Sequence, residues 1–195
     1  MDRIGELSHL VGMFDLNNHP FYTAWSNGTL PLEKLQRYAA DYAELIGTIP
    51  EGWNQANEPE YSEEERFHHS LWNRFVESLQ ARNESPLTQT KTLVNIARNL
   101  FSGHPECLGA LYAFESQQPR TARAKLDGLA THYRHLGDDS SWKYFDVHAD
   151  NTSEVEFLAE KLHQLDEADY ARSRTACTMM SAAMWHALDG YWYTS

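Results

Sequence analysis

The stretch from Leu108 to Tyr133 places the tightest limit on how this chain can fold. Leu108, Leu111, Tyr112, Glu115, Ala122, Leu126 and Leu129 recur at helical spacing, so one face of a helix must be buried. Glu115 sits on that apolar stripe, one turn past Leu111 and Tyr112. A carboxylate there has to be paired, protonated or bound to a metal, because an isolated buried charge is too costly. Pro119 follows one turn later and is expected to kink the helix, since it lacks an N–H and its ring clashes with the preceding turn.

The rest of the chain keeps the helical period. Ile4, Leu7, Val11 and Phe14 mark a first amphipathic helix, and Asn17 to Pro20 is a break and a restart. Phe21 to Trp25 is a short helical piece closed by Asn27 and Gly28. Beyond Pro31, the stripe Leu35, Tyr38, Tyr42, Leu45 and Ile46 turns two tyrosines inward, where their hydroxyls need polar partners. The acidic segment from Pro50 to Tyr61 reads as irregular. Ser62-Glu63-Glu64-Glu65 has the form of a capping box. It predicts a helix through Leu79 with Glu64, His68, Leu71, Trp72, Phe75 and Leu79 inward, and with Glu63 and Glu65 as solvated first-turn acids. Further helices are predicted over 87–101, over 142–165 with a restart at Ser153 backed by Glu156, and over 168–188 with Gly190 as the stop. No strand pattern, internal repeat or low-complexity segment is present, so the expected fold class is an all-α bundle forming a single domain over 1–195.

Composition sets the outer limits. A chain of 195 residues can bury one real core. Its net charge of −12, without a basic cluster, argues against nucleic acid or an anionic membrane as partner. Aromatic residues at 12% favour a packed interior around a pocket. Cys107 and Cys177 make neither a disulfide framework nor a ligand pair, which fits a reducing, cytoplasmic setting. The N-terminus lacks the basic-then-apolar pattern of a signal peptide, and no apolar run is long enough to span a bilayer.

Several side chains are candidates for chemistry. Glu64 and His68 are spaced i, i+4 and project the same way, while Glu115 and His148 add a carboxylate and an imidazole from other segments. Carboxylates and histidines converging from several helices are how bundles build iron or manganese centres. The plainer alternatives are an exposed first-turn acid for Glu64 and an ordinary half-buried histidine for His68. Lys125 is an amine nucleophile or donor if buried, and a solvated lysine if not. Tyr22, Tyr38 and Tyr144 serve either radical and hydrogen-bonding roles or packing alone. Cys177 reads as a small buried filler.

Together these segments resemble a known family. His19-Pro20-Phe21-Tyr22, then Trp25, Gly28, Leu30, Leu35 and Tyr38, resembles the opening of the TenA/PqqC-like superfamily, which has the haem-oxygenase-like fold. Ala110 to Gln117, Lys125, Gly128-Leu129, Tyr144-Phe145 with His148, and Trp185 with Leu188-Asp189-Gly190 resemble its CADD-like branch. The resemblance spans about His19 to Gly190. It implies a seven-helix bundle, commonly a homodimer, around a central cavity. There, two iron ions, or iron with manganese, activate dioxygen for biosynthetic oxidation of a small-molecule substrate. One subgroup makes 4-aminobenzoate from its own tyrosine and lysine. Lys125 matches the donor lysine of that subgroup, and Tyr22, Tyr38 and Tyr144 match its active-site tyrosines, while Phe114 replaces a tyrosine.

Two departures from the family pattern stand out. The Asp and His usual four and seven positions beyond His148 are Thr152 and Val155 here, and Asp150, Glu154 or Glu156 can substitute only after a change of register. His68 matches the upstream histidine, but its glutamate, two turns earlier, falls near Glu60 and Tyr61, which leaves Glu58, Glu60 and Glu64 as candidates. The expectation is an iron-dependent oxidase with an altered site of one or two ions, its metal residues drawn from Glu115, His148, His68 and Glu64. The alternative is a relative that is metal-free or non-catalytic and uses the cavity, left empty of iron, for ligand binding or as a partner subunit.

Overall fold

Prolines and short polar breaks cut the chain into rods. A computed structural model describes residues 2–82 and 85–194. Among the described residues there are eleven α-helical segments and no strand. In order they are α1 (Arg3–Gly12), α2 (Pro20–Ser26), α3 (Leu32–Ile46), α4 (Ile49–Gln55), α5 (Pro59–Ser78) and α6 (Thr88–Leu100). There follow α7 (His104–Glu115), α8 (Gln118–His132), α9 (Lys143–His148), α10 (Ser153–Gln164) and α11 (Glu167–Tyr193). A proline stands in the first turn of α2, α4, α5, α7 and α8, where its missing N–H leaves no bond unmade.

That rule explains where the sequence expectations fail. The segment from Pro50 to Tyr61 is largely helical, because Pro50 and Pro59 start α4 and α5 instead of breaking them. Ser62 is therefore no cap: it lies inside α5, buried, and its hydroxyl donates to the Pro50 carbonyl at 3.0 Å. Gly190 does not end α11, which continues to Tyr193. Its last carbonyls are satisfied by Lys34, whose Nζ donates to Tyr191, Trp192 and Thr194. The helix predicted over 108–133 is two helices, with Pro119 in the first turn of α8 and the break at Ser116 and Gln117.

The long α11 packs mainly against α7 and α6, and the buried residues form one contiguous core. At the α7–α11 crossing, Gly109 lies directly beneath the Ser173 carbonyl, where a methyl group would overlap the oxygen. Ser173 Oγ donates to the Pro105 carbonyl beside it, so neither backbone can yield cheaply. Gly109→Ala should cost about 3 kcal/mol, or roughly 6–12 °C in Tm for a chain of this size, measured by thermal and urea unfolding. An unchanged midpoint would mean that the two helices slide apart freely.

Candidate metal centre and lysine chamber

The turn of α5 sets Glu65 and His68 three residues apart on its buried face, and His148 closes α9 opposite them. The imidazoles of His68 and His148 meet edge to face at 4.4 Å. One ligand-capable atom from each of Glu65, His68 and His148 lies within 4.8 Å of the others, and all three residues are buried. His68 Nδ1 and Glu65 Oε1 are 2.8 Å apart. His148 Nδ1 donates to the Tyr144 carbonyl at 2.6 Å, and a carbonyl can only accept. In the neutral ring the lone pair is then on Nε2, which has no partner among the described residues; neither has Glu65 Oε2.

Two more buried acids surround this group. Glu115, on α7, accepts from Trp53 Nε1 at 3.4 Å. Glu154, in the first turn of α10, is held by Asn151 Nδ2 at 3.0 Å and Ser153 Oγ at 3.1 Å. Burial, then the charges of Glu65 and Glu154, push the Glu115 carboxyl well above the usual range. Burial also raises Glu65, against the pull of His68. For His68, burial acts downward, but the Glu65 hydrogen bond and the carboxylates around it outweigh burial and raise the ring. Burial and then His68 drive His148 down to about 3, so it stays neutral at physiological pH. Three buried carboxylates against two imidazoles leave the region short of positive charge. A buried oxygen and a buried ring nitrogen, both without partners, fit a bound dication, and mixed O and N donors suit iron or manganese.

Not every predicted residue comes to this place. Glu64 is half exposed on the flank of α5, its carboxylate 3.8 Å from His68 Nε2, and does not face inward as expected. Glu65, expected to be solvated, is the buried acid of that turn. Glu64 and Glu65 stand four and three residues before His68, and the inward stripe of α5, which runs Ser62, Glu65, His68, Leu71, Trp72 and Phe75, takes in the second of them. Glu60 is exposed, Glu58 pairs with Lys161 at 2.9 Å, and Tyr61 stacks on Trp53. Thr152 and Val155 do not share a face with His148, because α9 stops at His148 and residues 149–152 form a loop. Thr152 is exposed and donates to Glu156 at 2.9 Å, Val155 packs against the core, and Asp150 pairs with Arg123 at the surface. Glu154 is the residue of this region that turns inward.

Lys125 is buried on α8, with Nζ 4.3 Å from the centroid of the Tyr22 ring and 5.8 Å from those of Tyr38 and Phe145. Burial drives its ammonium down to about 7. The hydroxyls of Tyr22 and Tyr38 share a hydrogen bond of 2.8 Å. Tyr144 Oη accepts from Gln118 Nε2 at 3.1 Å, and its ring lies 4.3 Å from that of His148, so Tyr144 joins the lysine to the histidines. Tyr22, Tyr42, Tyr144, Lys125, Trp72 and Gln118 border a small chamber of about 10 Å³. Tyr42 stacks on Tyr38 at 4.9 Å and joins this lining, a role that its inward position on α3 hinted at. Cys107 and Cys177 are buried free thiols.

Residues 54–187 match the family model described as iron-containing redox enzyme. The chain belongs to this family. The 4-aminobenzoate synthase of Nitrosomonas europaea is 32% identical over 228 residues, covering 97% of this chain and 88% of that protein. A Shewanella denitrificans domain with a haem-oxygenase-like fold superposes with a TM-score of 0.78 at 18% identity, over 98% of this chain and 92% of that one. A CADD-like protein of Nostoc punctiforme gives 0.60 at 16% identity, over 96% and 95%. The all-α, haem-oxygenase-like architecture expected from the sequence is thus the observed one, and family membership makes this chain an iron-dependent redox enzyme. Among the described residues, no helix is long and apolar enough to cross a membrane.

Proposed function

We propose that this enzyme makes 4-aminobenzoate, with one of its own buried tyrosines giving the ring and Lys125 the amine. The size of the chamber beside Lys125 carries this reading. Its 10 Å³ is on the scale of one water molecule, whereas a cavity of about 150 Å³ is what admits a benzene ring. An aromatic substrate from outside has no room, while the Tyr22 ring already touches the amine. Dioxygen is small enough to serve as the external reactant. The same lack of space disfavours the chamber itself as the seat of a carried ligand.

In this reading Glu65, His68 and His148 hold an iron ion, and Glu115 and Glu154 supply further carboxylates to it or to a second ion. When bound, iron supplies the one-electron chemistry that dioxygen needs. The protein's own groups prepare the reactants. The Tyr144 carbonyl fixes the His148 tautomer and presents Nε2 to the metal. Lys125 keeps a substantial uncharged fraction near neutral pH, so its Nζ has a lone pair available. Burial holds the Tyr22 and Tyr38 phenols protonated, and Tyr38 orients the Tyr22 hydroxyl. Expressed in a 4-aminobenzoate auxotroph in aerobic, iron-replete medium, the protein should restore growth without supplement. No growth despite folded, iron-loaded protein in the cells would overturn the reading.

A further inference from the structure

A second pocket lies outside the lysine chamber, between α1 and the α7–α8 junction, with a volume of about 160 Å³. Gln117 and Thr121 line both spaces and so form the partition between them. Gln117 is held in place by the Leu16 amide, which donates to its Oε1 at 3.0 Å. Val11 and Gly12 give the outer pocket an apolar wall. Ser8 and Ser116 also line it. At the rim Arg120 pairs with Asp15 at 2.8 Å, and the arginine side chain is 70% exposed, so it can swing to another anion.

These features select a ligand class. The volume is that of a cavity that holds one aromatic ring. A guanidinium matches a carboxylate through two parallel bonds. We infer that the outer pocket binds a single-ring aromatic carboxylate, the ring against Val11 and Gly12 and the carboxylate on Arg120 in place of Asp15. Identifying that ligand with the product leaving the chamber past Gln117 rests on the function proposed above; the binding itself does not. A net charge of −12 opposes any anion, so the complex is weak and suited to release.

The test uses the iron-loaded protein kept free of dioxygen, so that no turnover occurs. Titration with 4-aminobenzoate, followed by NMR or calorimetry, should show saturable one-to-one binding, and aniline, which lacks the carboxylate, should not saturate. Arg120→Gln should weaken binding about tenfold, the scale of a lost charge-assisted pair. Asp15→Asn removes the competing anion but keeps an oxygen able to cap the Asn17 amide, so binding should tighten several-fold. Absence of saturable binding by the parent, or an Arg120→Gln variant that binds equally well, would overturn the proposal. Saturable binding with failed auxotroph rescue supports the pocket and removes its tie to the product; rescue without binding removes the pocket alone.

Discussion

Lys125→Met will abolish 4-aminobenzoate formation and, in the same protein, raise the melting temperature. A thioether offers no nitrogen for the ring, so auxotroph rescue is lost completely. Stability moves the other way because Lys125 is buried without an anionic partner. Its ammonium titrates near 7 in the folded protein, against about 10.5 for a free lysine. The unfolded chain therefore holds the proton more tightly, and lysine burial costs stability in full below pH 7. That cost shrinks as pH rises from 7 towards 10.5. Linkage puts it at several kcal/mol in neutral solution, from which about 2 kcal/mol is deducted for the ammonium's contact with the Tyr22 ring. A net gain of about 2 kcal/mol corresponds to roughly 4–8 °C in Tm. Thermal unfolding at pH 6.5 and pH 10 checks both sign and window: the gain should be large at the first pH and nearly gone at the second. A variant less stable than the parent at pH 6.5 would mean that the amine is solvated or paired.

Glu65→Gln will collapse iron binding, and Glu64→Gln will leave it nearly intact. Both acids lie within one turn of His68, but only Glu65 is buried with an unpartnered oxygen beside His148. Loss of a direct carboxylate ligand should exceed the roughly 10–100-fold that even outer-shell changes cost. Glu64 loses only a half-exposed, solvent-screened attraction to His68 at 3.8 Å, worth less than about threefold. Anaerobic loading with ferrous iron followed by elemental analysis reads both. Adding Thr152→Asp and Val155→His should bring no extra iron, since Thr152 faces solvent. Equal losses from the two glutamine variants, or a gain from the double variant, would show that α5 or α10 turns differently in solution.

Much of this was legible in the sequence. The burial of Glu115 and the inward tyrosines of α3 follow from the helical period, and each appears where that period puts it, whereas Pro119, expected to kink one helix, stands in the first turn of a second. Apart from the family resemblance, spacing left Lys125 as a choice between buried and solvated, because one α8 lysine at helical spacing carries no mark of what packs over it. The metal residues were harder. Reading Pro59 as part of a loop made Glu65 a solvated first-turn acid, and since Glu64 and Glu65 both lie within one turn of His68, spacing did not choose between them. Beyond His148, counting along one continuous helix led to Thr152 and Val155, whereas four loop residues reset the count. A short loop leaves no periodic signature by which the sequence could reveal it.

The four-residue loop between α9 and α10 separates the direction of the α10 acid from that of His148. Glu154, Leu158 and Leu162 are the three buried residues of α10, spaced four apart, so the acid is the first tooth of a ratchet whose other teeth are leucines. The rotational phase of the helix is set by where those leucines seat, since each residue turns the helix by about 100°. Residues 149–152 transmit no phase from α9. Lengthening or shortening that linker by a residue would leave Glu154 pointing inward, while moving Leu158 by one position would swing the carboxylate out to solvent. The orientation of this acid is thus guarded by oily side chains one and two turns away, and not by its distance along the chain from His148.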